Sequence, residues 1–492
     1  MPALDLELPS PDSAGLAALE KNVRRDLELI KYPEQAWIPP RYAASGGRVL
    51  DVLVVGAGQG GQAVASMLLR ERVDNILVID RAPRGQEGPW RTYARMQTLR
   101  SWKTVTGPDL GLPALTFQSW FEAQYGAAPF EALNKIPKEM WHDYLLWVRD
   151  VLGLPVRNGA SLEKIEPSAD PAAPCLRATV RENGSASTLL ARKIVLAMGI
   201  EASGRWWMPE HVAALPSHLR AHASEAIDFA RLAGKRVAVL GAGASAFDNA
   251  ATALEAGAAE VRLYCRRPQL QRTQPYKAIS FPGYFRHFGD LDDATRWRFT
   301  QHLLTLREAL PVETWNRVTR HANFHLHTGS PWNSVLLHGD GVLLHTPAGK
   351  FEADFLICGT GFEMDLDRRT ELAAFAAQIA RWSDRHAPAA AGNERLARYP
   401  YLGAGLEFVE RTAGAAPFLK DIHLFDFGAT ASFGPSGSSI NAMKFAVPRL
   451  VDAMTRDLFV ADIEQHYANL AGYETPEFPL VFARDANPDA AA

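Results

Sequence analysis

Short apolar runs, each closed by a glycine-rich turn and followed by a helical stretch, recur along this chain. Val52-Leu53-Val54-Val55 leads into Gly56-Ala57-Gly58-Gln59-Gly60-Gly61, and Val237-Ala238-Val239-Leu240 leads into Gly241-Ala242-Gly243-Ala244-Ser245-Ala246. An unbroken apolar run bounded by turn signals fits a strand buried on both faces, as in a parallel sheet. Further strands are expected at residues 75–79, 192–199, 261–265 and 355–361. Helical spacing of apolar positions appears at 15–30, with Leu16, Leu19, Val23 and Leu27 on one stripe, and again at 139–148. The N-terminal stripe is expected to dock on its own domain rather than on a membrane surface. The pattern predicts an α/β fold with two Rossmann-like dinucleotide-binding domains, the second inserted in a discontinuous first.

The expected boundaries are an N-terminal extension at 1–48, the first domain at 49–233 and 346–460, the inserted domain at 234–345, and a C-terminal tail at 461–492. Residues 387–392 read as a surface loop, and the tail beyond Arg484 lacks any pattern of burial.

The two fingerprints differ at the residue that reads the ribose. In each, Gly56 or Gly241 makes the tight turn, Gly58 or Gly243 lets backbone approach a pyrophosphate, and Gly61 or Ala246 packs the helix on the strand. The first continues to Asp80, whose carboxylate accepts hydrogen bonds from free ribose hydroxyls and suits FAD or NAD. The second continues to Arg266 and Arg267, whose guanidinium groups suit the 2′-phosphate of NADPH. Ser245 sits where a hydroxyl donates to a phosphate; it lacks the Gly-x-Ser-x-Gly elbow of hydrolases. Gly199 and Gly361 close the strands at 192–199 and 355–361, where glycine again lets backbone approach a ligand.

Composition narrows the function classes. At 492 residues the chain exceeds a single core, and a net charge of −3 provides no basic face for nucleic acid. No apolar stretch approaches the roughly 20 residues that span a bilayer, and no secretion signal opens the chain, so a cytoplasmic location is expected. The three cysteines, Cys175, Cys265 and Cys358, are not spaced as the redox pair through which disulfide-reducing flavoproteins pass electrons. Alternate histidines at 321, 325 and 327 share a strand face but have no carboxylate or cysteine at ligand spacing, so no metal site is expected.

The ordered motifs resemble those of the FAD- and NADPH-dependent monooxygenases, which include flavin-containing, Baeyer–Villiger and N-hydroxylating enzymes. The resemblance rests on the two fingerprints, on Met198-Gly199 in place of an Ala-Thr-Gly turn, and on Cys358-Gly359-Thr360-Gly361-Phe362. Residues 96–103 and 136–147 are similar to segments of the ornithine and lysine N-hydroxylases. The Baeyer–Villiger fingerprint would place its histidine at His222, but Pro216 and His218 stand where Phe and Gly belong.

The resemblance implies an enzyme in which NADPH reduces FAD and O2 then gives a C4a-(hydro)peroxyflavin that oxygenates a small substrate, N-hydroxylation of an amine being one form. It also implies candidate roles for Trp90, Gln97 and Asn441 facing the cofactors, and for Lys103 as a carboxylate-binding cation. Two alternatives share the fold: an NADPH-dependent flavin reductase of a non-disulfide acceptor, and Baeyer–Villiger-type oxygenation. Substrate identity and oligomeric state are open at this level.

Overall fold

The computed structural model describes residues 8–168, 174–386, 393–478 and 480. The expected loop at 387–392 and the tail beyond Arg484 lie outside the described residues.

The first sheet grows from β1 (Leu50–Val55), with β2 (Ile76–Asp80) on one side and β6 (Ser185–Leu196) on the other, all parallel. Beyond β2 lies the parallel β3 (Val156–Asn158), and β17 (Ile422–Leu424) pairs in parallel with the end of β6. β4 (Ala160–Pro167) and β5 (Leu176–Glu182) extend the far side antiparallel. Val55 lies opposite both Ile79 and Leu196, so the strands end level and their carboxyl ends form one rim. Val52, Leu53 and Val54 are wholly buried, with the helix Gln59–Arg70 packed on β1, and such full enclosure explains the uninterrupted apolar run. Burying one such leucine contributes ~1.5–3 kcal/mol.

The second sheet is entirely parallel, in the order β11 (Phe324–His327), β10 (Glu260–Tyr264), β9 (Arg236–Leu240), β15 (Phe355–Cys358) and β8 (Arg220–His222). A meander of β12 (Ser334–His338), β13 (Gly341–Thr346) and β14 (Gly349–Ala353) lies beside it. This corrects the expected limits of 234 and 345, since β8 and β15 fall outside them yet pair with each other in the second sheet. Pairing between strands distant in sequence decides membership, and an apolar run alone carries no record of its neighbour.

The two chain crossings between the sheets bond to each other. β7 (Gly204–Trp206) leads out, β16 (Phe362–Met364) leads back, and they pair antiparallel. The N-terminal helix Ser13–Leu29, capped by Asp12, presses its apolar stripe on the helix Phe117–Tyr125. Contact is close enough that a Cβ on Gly15 would stand 2.1 Å from the Ala123 carbonyl oxygen. No helix among the described residues is long and apolar enough to cross a membrane.

Candidate functional site

The rim of the first sheet forms a cradle that only small residues permit. Gly56 has φ +104°, and a Cβ there would stand 2.4 Å from the Ala197 carbonyl oxygen at the end of β6. A Cβ on Gly61 would stand 1.8 Å from the Gly56 carbonyl oxygen, so the helix Gln59–Arg70 can sit directly on the turn. At Gly58, by contrast, a Cβ would meet nothing within 4 Å. That open side faces away from protein, and the helix it begins has no side-chain cap. Free N–H groups at a positive helix end beside open space fit a pyrophosphate.

Asp80 completes this cradle. Its carboxylate accepts the Ala57 N–H at 2.7 Å and the Ala82 N–H at 2.8 Å, which fixes it against the glycine turn. Burial pushes its carboxyl above the usual range, and these two N–H groups pull it back. Gly199, with φ +68°, ends the neighbouring strand in open space on the same rim. Behind the cradle, Trp141 Nε1 donates to Gln59 Oε1 at 3.2 Å, tying the turn to the aromatic helix Lys138–Val151.

The second cradle repeats the design with one exchange. A Cβ on Gly241 would stand 2.3 Å from the Gly359 carbonyl oxygen, and one on Gly243 would meet open space. The third position is Ala246, accommodated because Gly359 opposite it has no side chain: a Cβ there would stand 2.5 Å from that of Ala246. Ser245 is exposed on the first turn of the uncapped helix Ala244–Glu255, and Gly361 has φ +78° in open space.

The arginine pair is not equivalent in the structure. Arg266 is exposed, whereas Arg267 donates to the Thr305 carbonyl at 2.8 Å and the Leu306 carbonyl at 3.1 Å. Arg267 therefore holds the end of the helix Asp293–Leu306, whose last carbonyls lack partners within the helix. Next in the chain is Arg307, with φ +66°. Burial and the nearby charges of Arg395, Arg267 and Arg266 hold its guanidinium below the usual value. No sequence motif marks Arg307, because only folding brings residue 307 beside 266.

Gln97, Asn441, Trp90 and Lys103 separate into different surroundings. Gln97 Nε2 is buried with no hydrogen-bond partner among the described residues. Asn441 Oδ1 accepts from Ser439 Oγ at 3.3 Å, just before the helix Met443–Ala461. Trp90 is buried in the aromatic cluster, and its carbonyl accepts Lys138 Nζ at 2.7 Å. Lys103 departs from expectation. Its ammonium donates to the Phe130 carbonyl at 2.8 Å and the Glu131 carbonyl at 2.6 Å and lies over the Phe130 ring, so it secures a helix end rather than offering a free charge.

Three distant segments converge near this rim. A Cβ on Gly107 would stand 2.3 Å from the Ile440 carbonyl oxygen, and Lys444 Nζ donates to Thr106 Oγ1 at 3.2 Å. Lys277 Nζ lies 5.7 Å from the Trp102 ring centre. A buried arginine joins the two sheets from behind: Arg317 contacts Asp248 at 3.2 Å and Glu255 at 2.8 Å, and donates to the Arg95 carbonyl at 3.0 Å. It thereby ties the helix of the second fingerprint to the loop bearing Gln97.

A family profile described as L-lysine 6-monooxygenase/L-ornithine 5-monooxygenase matches residues 129–329, and an FAD-NAD(P)-binding profile matches residues 53–201. The chain is 43% identical over 466 residues to an FAD-dependent urate hydroxylase of Xanthomonas campestris pv. campestris, covering 94% of this chain and 97% of that protein. Among solved structures, an ornithine N-hydroxylase of Kutzneria sp. 744 with reduced FAD, NADP+ and L-ornithine matches with TM-score 0.65 and 17% identity, over 83% of this chain and 99% of that one. A cadaverine monooxygenase of Erwinia amylovora bound to FAD matches with TM-score 0.62 and 15% identity, over 83% and 95%.

Proposed function

The chain belongs to the FAD- and NADPH-dependent flavoprotein monooxygenases, and from that premise we propose that it hydroxylates urate or a closely similar oxidised purine. The observation that carries the reading is 43% identity to a urate hydroxylase along nearly the whole of both chains. The fate of Lys103 supports it, because the cation expected to hold an amino-acid carboxylate is bound to two backbone carbonyls.

The reaction balances with one oxygen atom of O2 entering the ring and the other leaving as water, while NADPH supplies a hydride and solvent a proton. FAD held in the first cradle would supply the hydride-accepting and O2-activating chemistry. The protein's own contribution is placement. The turn Gly56–Gly61 and Asp80 hold FAD; the turn Gly241–Ala246 and Ser245 hold the NADPH pyrophosphate; Arg266 selects the 2′-phosphate, with Arg307 beside it. Gln97, whose amide N–H groups lack a partner, is positioned to donate to a cofactor edge.

A second reading, N-hydroxylation of an amine, is favoured by the lysine/ornithine monooxygenase profile over residues 129–329. NADPH consumption in air by the purified holoenzyme separates the two. Urate is expected to stimulate consumption severalfold with one NADPH used per urate lost, and ornithine and lysine to leave it at the basal rate. Stimulation by the amino acids alone assigns the enzyme to the second reading.

A further inference from the structure

Among the buried hydroxyl groups that have no partner within the described residues, two stand on neighbouring backbone outside the cofactor cradles. Tyr284, in the helix Pro282–His287, is 7% exposed, and Ser436 is 3% exposed. Neither the Tyr284 hydroxyl nor Ser436 Oγ has a hydrogen-bond partner among the described residues. Folded proteins satisfy nearly all such groups, because leaving one bare sacrifices its hydration without return.

The two hydroxyls belong to one place. Gly434, with φ +65°, brings its backbone onto the tyrosine: a Cβ there would stand 3.2 Å from Tyr284 Cε1 and 3.6 Å from the hydroxyl. Ser436 follows two residues later on the same turn. That turn is seated on the sheet rim, since a Cβ on Gly437 would stand 2.6 Å from the Phe425 carbonyl carbon, just beyond β17. The turn then runs through Ile440 to the segment carrying Trp102 and Thr106, so the hydroxyls lie where three segments converge beside the FAD cradle.

The surroundings are aromatic and cationic rather than acidic, with Arg286 and Lys444 each 5.4 Å from the Phe445 ring. Phe288 lies 4.9 Å from the Tyr284 ring, and Phe285 stacks on Phe445 at 5.9 Å. Asp290, the acid on this segment, is already held by Arg449 at 2.7 Å and His287 at 3.0 Å, so it offers no open carboxylate to an amine. Aromatic walls with a few fixed hydrogen-bonding groups are the usual means of orienting a planar heterocycle.

We propose that the Tyr284 hydroxyl and Ser436 Oγ bind the carbonyl and N–H edge of a planar heteroaromatic substrate and fix the ring against the FAD site. The inference rests on the urate reading above and assigns the residues that would make it specific.

The test is titration of oxidised holoenzyme with urate, followed by perturbation of the bound-flavin spectrum. Tyr284→Phe and Ser436→Ala are each expected to weaken urate binding about tenfold, the size of one hydrogen bond lost from a buried site, with NADP+ binding and melting temperature unchanged. Ser436→Ala removes a single oxygen atom and keeps the test open if Tyr284→Phe fails to hold FAD. Wild-type affinity for urate in both variants overturns the proposal. If xanthine or uracil perturbs the wild-type spectrum and urate does not, the urate reading fails while a tenfold loss of that ring's affinity in the same variants upholds the binding pair. Binding of ornithine or lysine with no response to any ring overturns both.

Discussion

Arg266 and Arg267 are adjacent and chemically identical, yet the fold gives them different tasks. Arg267 holds the Thr305 and Leu306 carbonyls, while Arg266 is exposed beside the second cradle. Arg266→Ala is therefore expected to raise KM for NADPH severalfold and leave KM for NADH nearly unchanged. Arg267→Ala should instead loosen the end of the helix Asp293–Leu306, lowering the melting temperature and affecting both coenzymes alike. Steady-state kinetics with the two coenzymes, set beside thermal melts, check the division. The glycine turns and Asp80 were legible in the sequence because their meaning is local: spacing along the chain fixes a strand, a turn and a helix start. Lys103 and Arg267 were not, because each is engaged by carbonyls some 27 to 39 positions away.

Among the links between the two sheets, Arg317 is a buried one. It is 6% exposed and bridges the helix Ala244–Glu255 to the Arg95 carbonyl, two residues before Gln97. Removing one partner of a buried charge group leaves the others uncompensated, at a cost of ~3–5 kcal/mol. Arg317→Lys keeps the charge but not the forked geometry. It is expected to retain FAD and NADPH binding while a larger share of NADPH oxidation ends as hydrogen peroxide, measured as peroxide formed per NADPH consumed. An unchanged peroxide share would detach Arg317 from control of coupling. Strand existence was readable from apolar runs, as β1, β9 and β15 show. Strand partnership was not, which is why the expected limits of 234 and 345 leave β8 and β15 outside the inserted domain.

Across the fold, stability carries a pH dependence set by buried neutral histidines. Burial holds His222 at about 4 against an ordinary 6.5. Its Nδ1 accepts the Ser224 N–H at 3.2 Å, and its ring lies 5.1 Å from Trp206 at the outgoing crossing. Because the folded value is depressed, the unfolded chain binds the proton first: stability is full above 6.5 and is lost as pH falls toward 4. At pH 5 the cost for His222 is about 2 kcal/mol. His423, held at about 3 by burial, acts in the same direction, whereas Asp51, pushed up to about 6 by burial, acts in the opposite one. Urea unfolding of His222→Phe at pH 7 and pH 5 isolates the histidine. The variant should lose less stability on acidification than the wild type, and an equal loss would remove His222 from the acid limb. The pair proposed to face the substrate was the least legible feature of all, since Tyr284 and Ser436 stand some 150 positions apart and neither belongs to a recurring motif.

In the proposed reaction one atom of O2 ends in a planar ring. Turnover of urate by the NADPH-reduced holoenzyme under isotopically labelled O2, with mass analysis of the product, measures that directly. One labelled oxygen in the product and stoichiometric loss of NADPH are expected. Unlabelled urate recovered beside hydrogen peroxide equal to the NADPH consumed would contradict it.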